Sequence, residues 1–398
     1  MTGRHLCMAN SDGAPCRTMA FSSLLHGDAD EYFIYALVLA GQLRRYSPNA
    51  DRVLLLGAGR FHDSSVSHEA LQLAGWTHLL AVDMIDTPHL DKTYLKRHRH
   101  VFTKLRALEL GYNHLVLLDL DLLPRDGVDL TGLFNVQAPA GKYHGAQNEA
   151  LGVQLVHGKR VPAAAQVGYW CPNAGVLRID PKTTPQERHD DLAQMLKHLN
   201  QKDAHVSTYL PEQYYLAQTL HGWHHIGTSY NYELGFDIPE TGCERWEISC
   251  DSYAASRSHS SKRLPKGVLP MNSEMELKTL DDVKVWHFSG KCGMLQPWMF
   301  QDKGGALEVE TWLIKFYGII DPGNIVAIAF AEWHKSLQLL LLQERGFERL
   351  SDVTDALERL YQRSESERQS CDHFLTYQRN LAGVKPGPRG DALLEKNM

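Results

Sequence analysis

The sequence predicts an α/β fold, in which a parallel sheet is covered by helices on both faces. Three observations lead to it: short, continuously apolar runs recur along the first 120 residues, helix-like segments separate them, and turn residues bound them. Strands that are apolar throughout are typical of parallel sheets buried on both faces. The 398-residue chain is 43% hydrophobic and 22% charged, which excludes a disordered or collagen-like protein.

The elements of this first half follow in chain order. Four mostly apolar runs are predicted strands: Met19–Leu25, Val53–Gly57, Leu79–Val82 and Leu115–Leu118. The segments between them include three predicted helices: Tyr32–Arg45, Ser67–Gly75 and Phe102–Leu110. The first helix ends in a basic turn, which suits the helix dipole, and the second ends at a glycine. Alternating strands and helices predict a Rossmann-like half that is compatible with nucleotide binding.

Beyond about residue 140 the pattern is less regular. Strands are predicted at Gly175–Ile179 and Val283–Phe288. A helix is predicted at Pro185–Asn200, because proline suits the first turn of a helix. After Trp298 the pattern turns helical, which predicts a C-terminal helical extension.

Composition and missing motifs argue against several function classes. The formal net charge is −6, so no basic excess indicates nucleic acid or an anionic membrane surface. The longest apolar stretch, Tyr32 to Ala40, is far shorter than the ~20 residues that span a bilayer. No GxGxxG follows the first strand and no P-loop motif occurs, so neither kind of phosphate loop is predicted. Seven scattered cysteines and no secretory signal predict a cytoplasmic protein.

The sharpest local feature is the run HLVLLDLDLLP, which covers His114–Pro124. Asp119 and Asp121 follow its apolar part and, two residues apart in an extended chain, face the same way. Ligands of open α/β sheets bind at this carboxyl end of the strands. Two carboxylates with phosphate oxygens are how Mg²⁺ or Mn²⁺ is held against a diphosphate. The run predicts a divalent-metal site; the alternative is that both aspartates merely solvate a strand end.

Six motifs, in order, resemble those of glycosyltransferase family 8, the glycogenin and galactinol synthase group. The first strand and helix (AFSSLLHGDADEYFIYALVLAGQLRR) and the aspartate segment (LVLLDLDLLPRDGVDLTGLF) are similar to the family's. The other four are Phe102–Leu105, Pro172–Leu177, Pro211–Gln213, and Trp286–Gly290 with Pro297–Trp298. The resemblance covers roughly residues 18 to 298.

This resemblance implies a GT-A fold and a retaining enzyme. It would move a hexosyl group, glucose or galactose, from a UDP-sugar to a hydroxyl acceptor, with Mn²⁺ or Mg²⁺ as cofactor. It implies a flexible N-terminus 1–17 and a glycosyltransferase domain 18–298, whose nucleotide half ends near residue 140 and whose second half takes the sugar and acceptor. The mainly helical extension 299–398 has no counterpart in the resemblance, and is expected to bind an acceptor or a second subunit in a homodimer.

The resemblance also implies roles for individual residues. The metal ligands would be Asp119, Asp121 and His287. Asn173 and Ala174 would line the donor sugar. The implied catalytic residues are Glu212, Gln213 and Lys104. The implied nucleotide-sugar contacts are Tyr32, Arg97, Lys104, Asp119, Leu120, Asp121, Asn173, Ala174, Glu212, Gln213, His287, Gly290 and Lys291.

Three departures from the family pattern leave alternatives open. Glu212 stands where the family usually has Asp, and Tyr209 where another Asp is frequent. The closing segment has three extra residues and places Gln296 where a lysine is expected, so that Lys291 is the candidate replacement. The third departure is the helical extension.

These departures motivate a second hypothesis, a catalytically degenerate GT-A domain that binds nucleotide-sugar or a protein partner. A third, a sugar-1-phosphate nucleotidylyltransferase, needs a basic Gly-rich loop after the first strand, whereas Leu25–Asp30 is acidic. The acceptor stays open between a glycan, a polyol, a lipid and a protein, which includes the chain itself.

Overall fold

The structure is a computed structural model. It describes residues 19–87, 96–143, 155–162, 172–199, 211–234, 280–289, 296–297, 325–343, 346–347, 350–360 and 362. The predicted flexible N-terminus 1–17 therefore lies outside the described residues, as does most of the extension.

The strands of the described part form two sheets. Their bounds are β1 Met19–Leu25, β2 Asp51–Leu56, β3 His78–Ala81, β4 His114–Leu118, β5 Leu122–Pro124, β6 Ala140–Lys142, β7 Asn173–Arg178, β8 His224–His225, β9 Tyr232–Glu233 and β10 Val285–His287. The larger sheet has the order β3-β2-β1-β4-β7-β6-β8, and the smaller has the order β5-β10-β9. β3, β2, β1 and β4 are parallel, whereas β7 is antiparallel to both β4 and β6. In the smaller sheet β10 is antiparallel to β5 and parallel to β9.

Helices connect and cover these strands. Their bounds are α1 Asp30–Tyr46, α2 Ser65–Ala74, α3 Pro185–Leu199, α4 Pro211–Thr219, α5 Ile325–Gln343 and α6 351–360. Four segments are 3-10 helices: Lys96–Glu109, Leu130–Asn135, Thr228–Tyr230 and Leu280–Asp282.

Local sequence explains where two of these helices begin and end. The Ser64 side chain accepts a hydrogen bond from the Ser67 amide at the start of α2, and Gly75 ends the helix at φ +133°. At the start of α3, Thr184 and Glu187 bond each other's backbone amides reciprocally. This arrangement is a capping box, which satisfies amides that the helix itself leaves open.

Both faces of the parallel sheet are buried, as the sequence predicts. Alternate residues of β2 enter different apolar clusters: Leu54 and Leu56 lie on one side, Val53 and Leu55 on the other. β1 and β4 show the same alternation. The α/β class is therefore confirmed, and β1 has the predicted bounds, Met19–Leu25. The segment predicted as helix Phe102–Leu110 belongs to the longer 3-10 segment Lys96–Glu109.

The strand order reverses between β1 and β4. From β1 the chain adds β2 and β3 on one side, then returns to place β4 on the other side of β1. In doubly wound sheets, ligands bind outside the carboxyl ends of the strands where the order reverses in this way. Asp119 follows β4 directly and so lies at this position.

The described helices of the C-terminal extension pack on the first half. Phe330, Trp333 and Leu337 of α5 belong to the same apolar cluster as α1. Gln42 of α1 donates a hydrogen bond to Ser336 of α5 over 2.6 Å. Among the described helices, none combines the length and the apolar character that crossing a membrane needs.

Candidate metal centre

The turn between β4 and β5, together with the end of β10, brings three predicted ligands together. Asp119 follows β4, Asp121 precedes β5, and His287 ends β10, which pairs with β5. The Phe288 amide donates to the Asp121 carbonyl at 2.9 Å, and the Asp119 amide donates to the Gly175 carbonyl at 2.9 Å. One ligand atom from each of Asp119, Asp121 and His287 lies within 4.8 Å of the other two. The three side chains therefore lie together, and their role as metal ligands stays a prediction.

The chemistry of this donor set fits a divalent cation. Two carboxylates and one imidazole are ligands that Mn²⁺ and its neighbours accept. His287 Nε2 faces Asp121 Oδ1 at 3.5 Å, while Nδ1 lies 2.7 Å from Asn231 Oδ1. A histidine held at one ring nitrogen with the other directed at carboxylates is the usual arrangement of a metal-ligating histidine.

The charges of the cluster shift its pKa values. Burial lowers the pKa of His287, but the carboxylates of Asp121, Glu233 and Asp119 raise it by more, so that the net shift is upward. Burial raises the pKa of Asp121, but His287 and Lys104 lower it by more. The surrounding charges therefore favour the ionised state of Asp121, which is the state that binds a cation.

Lys104 joins the same site from the 3-10 segment Lys96–Glu109. Its Nζ lies 2.8 Å from Asp119 Oδ1 and 3.6 Å from Glu212 Oε1. Burial lowers the pKa of Lys104, but the charges of Asp119 and Glu212 raise it by more. The ammonium therefore stays charged between two carboxylates.

Glu212 lies in the first turn of α4, behind Pro211, which suits the start of a helix. Its side chain is buried, and burial raises its pKa against the opposing charge of Lys104. Gln213 is its buried neighbour. Lys104 thus contacts both Glu212, a predicted catalytic residue, and Asp119, a predicted metal ligand.

Other predicted site residues are placed differently. Leu120 and Ala174 direct their side chains into the two apolar clusters, which leaves only their backbones for a ligand. Tyr32 is half-buried against the first cluster. The side chain of Arg97 and the whole of Gly290 and Lys291 lie outside the described residues. Their roles stay predictions.

Gln296 has a structural setting that explains one departure from the family pattern. It accepts a hydrogen bond from the Tyr35 hydroxyl and donates one to the Phe288 carbonyl at 2.6 Å. A lysine has no acceptor atom and cannot make both bonds. Gln296 therefore serves to hold the strand end next to His287.

Sequence reasoning missed the residues behind His287. Lys142, Asn231 and Glu233 are buried and hydrogen-bonded around it, together with Asn173, which was predicted to line the donor sugar. No sequence motif marks Asn231 or Glu233. The only signal is that polar residues occur in the run SYNYE, which the structure buries.

Comparisons with known proteins give distant structural similarities. A scan against models of protein families found no match, and a search of curated proteins found none. Among solved structures, the chain is similar to an active-site mutant of LgtC, with 16% identity, 80% of this chain and 96% of that chain covered, and a TM-score of 0.45. It is similar to GlyE of Streptococcus pneumoniae, described as a glycosyltransferase, at 16% identity, 80% and 64% coverage and a TM-score of 0.39.

A third similarity is to mouse xyloside xylosyltransferase 1, with 14% identity, 70% and 100% coverage and a TM-score of 0.37. At these identities and TM-scores the likeness remains a similarity alone. The proposed activity therefore rests on the site itself.

Proposed function

We propose that this protein is a glycosyltransferase of the GT-A kind. It moves a hexosyl group, glucose or galactose, from a UDP-sugar to a hydroxyl acceptor, with Mn²⁺ or Mg²⁺ as cofactor. One observation carries the proposal: Asp119, Asp121 and His287 converge at the carboxyl end of β4, beside Lys104 and Glu212. A metal held there would offset the charge of a departing diphosphate.

The residues of the chain have separate parts in this reaction. Asp119, Asp121 and His287 hold the cation. Lys104 carries a positive charge at the same place, and is suited to contact the diphosphate oxygens. Its contact with Asp119, at 2.8 Å, is shorter than its contact with Glu212, at 3.6 Å. Because one ammonium is shared between two carboxylates, Glu212 keeps negative charge that can stabilise positive charge developing on the sugar.

The proposed stereochemistry is retention, with the acceptor hydroxyl attacking from the side of the leaving group. In this proposal residues 18–298 form the glycosyltransferase domain, and the extension 299–398 binds the acceptor or a second subunit. The odd number and scattered positions of the cysteines favour a cytoplasmic location.

A second candidate function is nucleotide-sugar binding without transfer. Gln296 favours it, because this residue replaces a cation of the family pattern and its amide is engaged in buried hydrogen bonds. The intact Asp119, Asp121 and His287 cluster favours the enzyme instead.

The test is UDP release from a panel of UDP-sugars, with Mn²⁺ and with EDTA. We expect metal-dependent release from one sugar even without an acceptor, because water can replace a hydroxyl acceptor slowly. No release, together with metal-dependent thermal stabilisation by UDP, would support the binding module. Neither release nor stabilisation would reject both functions.

A further inference from the structure

A chain of hydrogen bonds runs from a buried carboxylate to the back of His287. Asn173 Nδ2 donates to Glu233 Oε1 at 2.9 Å, and Asn231 Nδ2 donates to Asn173 Oδ1 at 2.8 Å. Asn231 Oδ1 then lies 2.7 Å from His287 Nδ1. Lys142 Nζ, 3.1 Å from Glu233 Oε2, supplies the positive charge. We call Lys142, Asn173, Asn231, Glu233 and His287 the His287 network.

This network joins the ends of four strands. Lys142 ends β6, Asn173 begins β7, Glu233 ends β9 and His287 ends β10. It therefore connects the larger sheet with the smaller one. Asn231, just before β9, is completely buried, so water does not compete for its amide.

The carboxylate of Glu233 determines which group donates in each hydrogen bond between Glu233 and His287. A carboxylate only accepts, so Asn173 must present its NH₂ group to Glu233. The Gly175 amide, which only donates, bonds Asn173 Oδ1 at 2.8 Å and fixes the same orientation independently. Asn173 Oδ1 can then only accept from Asn231, so Asn231 presents its oxygen to His287.

We propose that Glu233, acting through Asn173 and Asn231, holds neutral His287 as the tautomer that carries its proton on Nδ1. Nε2 is then left with a lone pair directed at the metal site. This inference rests on the proposed function, because it explains how His287 presents an unprotonated Nε2 to the proposed cation. Glu233, Asn173 and Asn231 are positioning residues, since they act through His287 on the cation.

The competing acceptor is Asp121. Its Oδ1 lies 3.5 Å from Nε2, which is longer than an ordinary N–H···O hydrogen bond, whereas Asn231 Oδ1 lies within the ordinary range of Nδ1. The shorter contact favours the proton on Nδ1. In this tautomer His287 presents no proton on Nε2 to Asp121 Oδ1, and both atoms are open to a cation.

Gly175 fixes the position of the imidazole ring from the other side. A Cβ at this residue would lie 2.6 Å from His287 Cε1 and 2.9 Å from Nδ1. The ring is therefore packed directly on the backbone of β7, and only glycine leaves room for it. The network sets the tautomer, and Gly175 sets the place of the ring.

The tautomer can be read by ¹⁵N NMR of histidine-labelled, metal-free protein at alkaline pH, where imidazole is neutral. His287→Gln assigns the signal. We expect the wild-type spectrum to show a protonated Nδ1 and an unprotonated Nε2. A protonated Nε2 in the wild type would overturn the proposal, whether or not any variant folds.

The role of Asn231 is tested by Asn231→Leu, which has a similar volume but no acceptor. We expect the signal to shift towards the Nε2–H tautomer, and the affinity for Mn²⁺ alone, measured by calorimetry, to fall about 10- to 100-fold. Asn231→Asp keeps an acceptor and should retain the wild-type tautomer. An unchanged tautomer in Asn231→Leu would assign Asn231 a purely structural role. Asn231→Ala serves for the same comparison where Asn231→Leu does not fold.

Gln42→Leu is the matched control, because it removes another buried amide, at the contact of α1 with α5. It should leave the tautomer and the Mn²⁺ affinity unchanged. The two proposals remain separable. The expected tautomer without UDP release from any sugar would retain this inference and reject the transfer, whereas release with a protonated Nε2 would do the reverse.

Discussion

Two groups of charged residues hold distant parts of the chain together, and they differ in their access to water. In the His287 network, the side chains of Lys142 and Glu233 are 1% and 3% exposed. In a second group, the Arg359 and Asp30 side chains are 44% and 9% exposed. Both groups depend on a carboxylate and a cation, but only the first is sealed from solvent.

The second group, which we call the Asp30 cluster, docks α6 onto the first half of the chain. Arg359 binds Asp30 through two hydrogen bonds of 2.9 Å, and Arg60 contacts the same carboxylate. Asp352 accepts hydrogen bonds from Ser64 at 2.6 Å and from Ser67 at 2.5 Å. Its members are Asp30, Arg60, Ser64, Ser67, Asp352 and Arg359.

The difference in burial separates two uses of the same chemistry. Inside the protein, an unsatisfied polar group costs the full free energy of its desolvation, so each donor and acceptor is held in one role. Near the surface, water replaces a lost partner and an ion pair contributes little to stability. The His287 network can therefore orient a reactive group, whereas the Asp30 cluster serves to attach a helix.

The largest expected effect comes from the metal ligands themselves. Asp121→Asn should abolish Mn²⁺-dependent UDP release, because a neutral amide is a poor ligand for a hard cation. The fold should persist, as circular dichroism and gel filtration would show. Asp126→Asn, at an aspartate paired with exposed Lys335, is the control and should retain release. Full activity in Asp121→Asn would exclude the proposed metal site.

The next largest effect tests the buried pair of the His287 network. Lys142→Met should lower the free energy of unfolding by about 3–5 kcal/mol, because it removes the counter-ion of a buried carboxylate. Lys335→Met removes a solvent-exposed pair and should cost less than about 1 kcal/mol. Urea denaturation measures both.

The double variant Lys142→Met/Glu233→Gln sharpens this comparison. It removes the buried charge as well as its counter-ion, and should recover part of the lost stability. Equal losses in Lys142→Met and Lys335→Met would mean that burial does not distinguish the two groups.

The smallest effect concerns pH and the Asp30 cluster. Hydrogen bonds from Ser64 and Ser67 lower the pKa of Asp352 below its ordinary value of 3.8. A carboxyl group with a lowered folded pKa stabilises the fold above its unfolded pKa, and loses this contribution as the pH falls through the folded value. The stability advantage of wild type over Asp352→Asn should therefore be full near neutral pH, begin to fall at about pH 4 and vanish only below the folded pKa of Asp352.

Urea titrations at several pH values measure this advantage. Asp355→Asn, at an exposed aspartate of the same helix, supplies the baseline for general acid effects. An advantage that stays constant down to acidic pH would show that the Asp352 carboxylate does not help to dock α6.

Local patterns predicted a large part of the fold. A continuous apolar run such as Leu115–Leu118 specifies a buried strand by itself, because every side chain of such a strand needs an apolar neighbour. The position of Asp119 and Asp121 at the end of a strand follows from the same local reading. The family resemblance supplied His287, which no local pattern connects with the two aspartates.

The sequence by itself thus determined the parallel half and the strand that leads to the two aspartates, and it predicted the three ligands. Only the tertiary structure decided that Lys104 lies between Asp119 and Glu212, and that Gln296 is held by Tyr35. It alone placed Asn231 and Glu233 behind His287. These contacts join residues far apart in the chain, and a buried amide obtains its role from partners brought by strand pairing, which leaves no periodic trace in the sequence.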